Sequence, residues 1–327
     1  MKLIIEGYNK SIHKKDNQIQ IKEKGTEIYK IPVKKIESIT IVGKGYITFD
    51  ALSLLSKNNI QIISISYYGQ IEYILHSPNQ TNPILRKRQY KVSENQKGIE
   101  IARNIIIAKL KNQKSTLRTL NKNKKDPIIK INEKFIKENI SKLTDMKIDN
   151  RNEIMGIEGI SSVQYWQAIK ETLPESVNFQ KRDQKPKKDI VNAMLNYGYA
   201  ILASEITKNI VLHGLDPYCG FLHADNNKRT SLTYDLIEEF RQQIVDKTVL
   251  KLINTKQITE EDLDKRTNSL KLEIRKILAA KIMDKLNRKI KYQDRPLKYK
   301  DIIENQTKEM TNAIMNDKKY EGFYLNW

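Results

Sequence analysis

Apolar residues recur in two different rhythms along the chain, and the change of rhythm divides it. Residues 3–5, 18–22, 27–31 and 39–42 are short, β-branched and partly alternating, the pattern of half-buried strands. Gly25 and Gly43-Lys44-Gly45 punctuate them as turns. Residues 50–58 read as a short helix stopped at Asn58-Asn59, and 60–65 and 71–75 as two further strands around Gly69. The Pro/Asn-rich run 77–83 then breaks the pattern. From Arg86 onward the spacing is helical: Ile99, Ala102, Ile105, Ile106, Lys109 and Leu110 fall on one stripe, and Ser93 with Gln96 resembles a capping box ahead of it. A charged break at 121–127 precedes a lysine-rich helix over 128–143. Val163, Trp166 and Ile169 form a core stripe, and Asp189 caps a strongly apolar helix over 190–211, with small residues at Ala193, Gly198, Ala200 and Ala203 for close packing. Thr230 or Ser231 starts another helix, whose apolar stripe is Leu232, Leu236, Ile237, Phe240 and Ile244. Thr259 with Asp262 marks a further start, and 270–290 is amphipathic with a cationic face. The pattern predicts an α+β chain. A small β-rich, sandwich-like N-terminal domain with one short helix (1–77) is joined by a linker (78–87) to a larger all-α domain (88–327).

Charge sharpens the division. The 327 residues carry 59 Lys and Arg against 39 Asp and Glu, a net +20. Residues 1–77 hold 11 basic and 7 acidic residues, so roughly +16 lies beyond residue 78. The second domain therefore faces a polyanion, and an intracellular nucleic acid fits best. One cysteine excludes an intrachain disulfide and a cysteine-based zinc site. No apolar run reaches bilayer length, and the N-terminus lacks a signal-peptide pattern.

Candidate chemistry gathers at two places. Glu158 stands among Met155, Ile157 and Ile160 with a glycine on each side of its local turn, and burying it unpaired would be costly. It calls for a cation, either Arg or Lys or a metal. The second place is 213–246, where His223 precedes a polar turn and Asp235 and Glu238, three apart, share a helix face. Tyr165 reads as a core residue ahead of a place near a scissile phosphate, and Arg241 as a salt-bridge residue. Lys181, Arg182, Lys185, Lys187 and Lys188 make a basic loop suited to a phosphate backbone. Lys228 and Arg229 are candidate phosphate clamps beside the histidine. The aromatic tail over 319–327 docks on the body or on a partner, and His76 and His213 read as structural.

Several phrases in order resemble one family. They are Ile31-Pro32-Val33 with 39–43; Arg88-Gln89-Tyr90; Lys109 with Asn112-Gln113; Gly156-Ile157-Glu158-Gly159 with Tyr165-Trp166; Asn192-Ala193 with 196–199; Leu215-Asp216-Pro217; and His223, Ser231-Leu232, Asp235, Glu238, Phe240-Arg241 and Asp246. The chain is similar to the CRISPR-associated integrase, the catalytic "Cas-one" subunit of spacer acquisition. The resemblance implies a metal-dependent DNA integrase and endonuclease of the cytoplasm. Its Mn²⁺ or Mg²⁺ ligands and catalytic residues fall on Glu158, His223 and Glu238, with Asp235 an additional acid and Asn192 and Tyr165 ordering groups around them. It implies double-stranded DNA as substrate, a homodimer through the N-terminal domain, and a small "Cas-two" partner subunit bridging two dimers. Two readings compete with it: a transposase-type integrase acting without that partner, and a catalytically silent nucleic-acid scaffold. Ser161-Ser162 depart from the alanine and basic position often found after the family's Glu-Gly, and the basic loop departs from its Arg/Pro-rich form.

Overall fold

A computed structural model describes residues 1–65, 71–75, 77, 82–145, 147, 149–183, 189–223, 230–264 and 269–325. Lys185, Lys187, Lys188, Lys228, Arg229 and His76 lie outside the described residues. The chain divides into two compact units, Met1–Pro83 and Ile84–Trp327.

In the first unit the strands are β1 (Lys2–Lys15), β2 (Gln18–Glu23), β3 (Thr26–Pro32), β4 (Ser38–Ile47), β5 (Gln61–Ile65) and β6 (Ile71–Leu75), with helix α1 (Phe49–Lys57) between β4 and β5. The sandwich-like lobe is one six-stranded sheet in the order β3-β2-β1-β4-β5-β6. β1 is far longer than its apolar start at 3–5 suggests. Its polar second half is strand because it pairs on both sides, antiparallel to β2 from Lys10↔Glu23 and parallel to β4 through Ile12↔Ile47. The register slips between Tyr8 and Lys10, where Asn9 is left-handed (φ 59). Gly43 and Gly45 face this irregularity. A Cβ on Gly43 (φ +131) would lie 2.1 Å from the Gly7 carbonyl oxygen, and one on Gly45 1.9 Å from that of Lys10. Only glycine permits so close a crossing of backbones. The Thr48 hydroxyl caps α1 by accepting from the Ala51 amide (3.3 Å), and Ala51, Leu54 and Leu55 bury against the sheet's Leu3, Ile5, Ile39 and Ile62.

The second unit is built from α2 (Pro83–Ser93), α3 (Gln96–Lys124), α4 (Pro127–Asp145), α5 (Arg151–Lys170), α6 (Ile190–Leu212), α7 (Ser231–Ile237), α8 (Lys247–Asn254), α9 (Leu272–Asn287) and α10 (Tyr299–Asn316). Helix begins at Pro83, inside the expected linker. Ser93 ends α2 instead of capping the next helix; Asn95 caps α3 by accepting from the Lys97 amide (2.9 Å). The break expected at 121–127 is a tight corner, with Lys125 left-handed and Asp126 capping α4 through the Ile128 amide (2.8 Å). Small ladders interrupt the helices: β7 (Leu263–Asp264) with β8 (Ser269–Leu270), and β9 (Lys289–Tyr292) with β10 (Arg295–Lys298). Of the small residues in α6, Gly198 meets the tightest packing: a Cβ there would sit 2.6 Å from Val245 and 3.0 Å from Ile282. Among the described residues no helix is long and apolar enough to cross a membrane.

Between α7 and α8 the backbone departs from α geometry. Residues 238–240 turn with i→i+3 bonds, and Gln242–Asp246 form a π turn. The i→i+5 turn winds less per residue than an α-helix, and the i→i+3 bonds before it wind more. The stretch is buried almost all round, and Asp235, Glu238, Glu239 and Asp246 all lie inside.

Gly43→Ala forces a methyl into the Gly7 backbone and should cost about 2–4 kcal/mol. Thermal melts should show it far less stable than Gly25→Ala, whose added Cβ meets nothing within 4 Å despite a φ of +86.

Candidate functional site

Lys109 lies on the buried stripe of α3, and its ammonium is the cation that Glu158 requires. It hydrogen-bonds Glu158 Oε1 and lies 2.7 Å from Glu238 Oε2. Burial alone would push this ammonium down, but the charges of Glu238 and Glu158 outweigh it and hold Lys109 above its usual value. Burial would likewise raise Glu158, and Lys109 reverses it, so the carboxyl is held below the usual range. The Lys109–Glu238 approach is an ion pair without hydrogen-bond geometry, which leaves Glu238 Oε2 buried with no donor. Arg241 Nη2 takes the other oxygen of Glu238 at 2.7 Å. Ser162 donates to Glu158 Oε1 at 2.8 Å, so the departure from the family pattern at this position touches the carboxylate directly. Met155, Ile160 and Val163 do not wall Glu158 in: Ile160 is 50% and Val163 64% exposed, so of the core stripe expected on α5 Ile169 and Trp166 hold while Val163 does not, and Ile154, Ile157, Ser161, Tyr165 and Ala168 carry the rest.

His223 is organised by Asp235 instead. Asp235 is fully buried and accepts the Phe221 (2.5 Å), Leu222 (3.0 Å) and His223 (3.2 Å) amides together with His223 Nδ1 (2.6 Å). The approach depends on Gly220, where a Cβ would lie 2.8 Å from Asp235 Oδ2. A carboxylate on Nδ1 fixes the imidazole tautomer and leaves Nε2 for a second partner.

Residues 109, 113, 158, 162, 163, 165–167, 170, 171, 180–182, 241, 242 and 246 line an open cleft of about 610 Å³. Its far wall is the described part of the basic loop. Asn192 anchors that loop, not the acids: it holds the Lys181 carbonyl (2.8 Å), the Asp183 amide (2.9 Å) and Arg182 Nη1 (2.8 Å). Arg182 and Arg241 both lie over the Tyr199 ring, at 5.3 and 4.7 Å. Beneath them Asp246, which the residue pattern alone gave no role, accepts from Tyr199 (2.6 Å) and Tyr165 (2.9 Å). Tyr165 is thus the core residue expected of it. Burial pushes Asp246 up to about 6, against the hydrogen bond from Tyr199 and the Arg241 charge.

Among the described residues no three His, Cys, Asp or Glu side chains come close enough together to hold a metal ion as they stand. The structure brings Glu158 and Glu238 together around Lys109; among the described residues His223 pairs with Asp235 and with neither of them. The donor chemistry nonetheless suits a hard divalent cation: two carboxylates converge on one positive point, and Glu238 Oε2 is without a donor.

The family described as "CRISPR associated protein Cas1" matches residues 3–287. The chain belongs to the Cas1 family. It is 54% identical over the full length of both chains to "CRISPR-associated protein Cas1 3" of Methanobrevibacter ruminantium. It is 36% identical, again over the full length of both, to "CRISPR-associated endonuclease Cas1 1" of Archaeoglobus fulgidus. Among solved structures it resembles a casposase bound to integration product (TM-score 0.76, 28% identity, 98% of this chain and 97% of that one). It also shares the Cas1 fold of a partial Cas6-RT-Cas1–Cas2 complex (TM-score 0.77, 22% identity, 100% and 99%).

In the Cas1-type cleft, Lys109→Met leaves two carboxylates facing each other and should cost roughly 3–5 kcal/mol; in thermal melts Mn²⁺ should raise the variant's midpoint more than the wild type's. The raised value of Asp246 means the folded state holds its proton from about pH 4 to about pH 6 while the unfolded chain releases it. This group's contribution to stability therefore falls as pH rises through that window. Chemical unfolding across it should shift in favour of Asp246→Asn relative to wild type, by on the order of 3 kcal/mol; a constant difference would contradict the raised value.

Proposed function

We propose that the chain is the DNA-cleaving and DNA-joining subunit of CRISPR adaptation, joining the 3′-hydroxyls of short protospacer DNA to the CRISPR repeat. The observation that carries this reading is the convergence of Glu158 and Glu238 on Lys109, beside a basic cleft that Lys109, Glu158 and Arg241 line, in a chain of the Cas1 family. In the reaction the 3′-hydroxyl oxygen bonds to a repeat phosphorus, the repeat's own P–O3′ bond breaks, and the proton of the attacking hydroxyl ends on the released oxygen. Water attacking in its place gives cleavage.

Glu158, Glu238 and His223 through Nε2 are the residues that would hold Mn²⁺ or Mg²⁺. When bound, the ion polarises the phosphoryl oxygen and lowers the pKa of the attacking hydroxyl. The protein's own work is positioning. Asp235 holds the imidazole tautomer, Arg241 steadies Glu238, and Lys181 and Arg182 meet the phosphate backbone at the cleft wall. A small Cas2-type partner is supported by the solved assemblies that contain Cas1 and Cas2. Pairing through the first unit is supported by its exposed Ile4, Tyr8, Tyr46 and Phe49. The casposase likeness, at 28% identity, favours one second reading, an integrase that acts without such a partner.

A strand-transfer assay with labelled duplex and a supercoiled repeat-bearing plasmid tests both readings. Joining should require Mn²⁺ or Mg²⁺ and fall at least about 10²-fold in Glu158→Ala, His223→Ala and Glu238→Ala. Stimulation by a small partner supports the first reading and full activity without it the second. DNA binding with no joining under any condition would replace both by the silent scaffold.

A further inference from the structure

The family match ends at residue 287, yet the chain beyond it returns to the back of the site. After α10 the backbone reverses at Asp317 (φ 52), and residues 318–325 run without helix or strand. Tyr320, Phe323 and Leu325 are buried. Glu239 accepts from the Tyr320 hydroxyl (2.6 Å), the Phe323 amide (2.7 Å) and Gln306 Nε2 (3.1 Å). Asn112 is saturated: its Nδ2 donates to the carbonyls of Glu239 (2.8 Å) and Phe323 (2.9 Å), and its Oδ1 accepts from the Leu325 amide (3.1 Å) and Gln243 Nε2 (3.2 Å). The Phe323 ring stacks on Phe240 at 4.8 Å and 7°. Gly322 lets the segment pass; a Cβ there would lie 2.7 Å from Ala108 Cβ, 3.0 Å from Glu239 Oε1 and 3.1 Å from the Asn104 carbonyl oxygen.

Each anchor neighbours a site residue. Glu239 is next to Glu238, Phe240 precedes Arg241, Ala108 precedes Lys109, and Asn112 lies one turn beyond it. The segment that carries Glu238 is the irregular one, with i→i+3 bonds on one side and a π turn on the other, so its own ladder fixes it weakly. We infer that residues 320–325 are a positioning element of the catalytic site, setting the distance between α3 and the Glu238 turn and so the placement of Glu238 against Lys109 and Glu158. The inference rests on the reading of Glu158 and Glu238 as catalytic ligands.

The test uses the full chain with Gly322→Ala, whose methyl drives the segment off Ala108, and the double variant Ala108→Gly/Gly322→Ala, which removes the obstructing carbon. Strand joining, direct Mn²⁺ binding and hydrogen exchange over 238–243 are measured together. In Gly322→Ala, kcat should fall about 10²-fold with KM for DNA little changed, Mn²⁺ should bind more weakly, and exchange at the turn should quicken. Ala108→Gly should restore part of each, although the added helical glycine lowers the melting temperature further. Activity that tracks melting temperature across the three proteins, or an unchanged turn beside a released segment, would overturn the inference. If the Glu158→Ala control still joins DNA, the ligand assignment has failed; the exchange arm then stands alone and decides whether the segment orders the turn.

Discussion

A single buried ammonium holds two carboxylates that would otherwise repel each other. Lys109 sits on the core side of α3, and both Glu158 on α5 and the Glu238 turn come to it. Three separate segments thus meet at one charge. Removing an ion from water is expensive and is repaid only by close partners, so the charge ties α3, α5 and the turn to one another. The same balance ties the scaffold to the chemistry, because the point that satisfies the fold is also where two hard oxygen donors converge.

Around that point the polar groups are arranged in pairs of supporter and supported. Asp235 gathers three amides and an imidazole. Asp246 gathers two phenols, one of them beneath the two guanidiniums at the cleft wall. Glu239 gathers a phenol, an amide and a glutamine. Each buried acid is met by donors, as burial requires, and each stands beside a residue that faces the cleft or the histidine. These three acids back the site from inside the core.

Much of this was legible in the residues. The strand-to-helix change, the Asp189 cap and the need of Glu158 for a cation came from local pattern. Lys109 carried a visible signal, a lysine on the stripe of Ile105, Ile106 and Leu110, but a stripe does not say which acid a lysine meets. The second half of β1 was hidden because Glu6 to Lys15 is polar, and only pairing on both sides makes it strand. The burial of Glu239 and Asp246 was hidden for another reason. Regular helical periodicity places them by 3.6-residue turns, and the backbone from Glu238 to Asp246 does not keep that period. Exposed Val163 misleads for the same kind of cause in reverse: an apolar residue at helical spacing marks a face, and nothing local says whether the chain itself covers it.

The π turn also bears on how the chain tolerates change in length. It accommodates one residue more than an α-helix of the same span would need. A deletion inside 242–246 would therefore close the wide turn into ordinary helix and leave α8 and the chain beyond it nearly in place relative to Glu238. A residue lost before Val245 would leave Val245 on Gly198 and Asp246 on its two tyrosines. Two chains that differ by one residue here can wind the same span without moving the site.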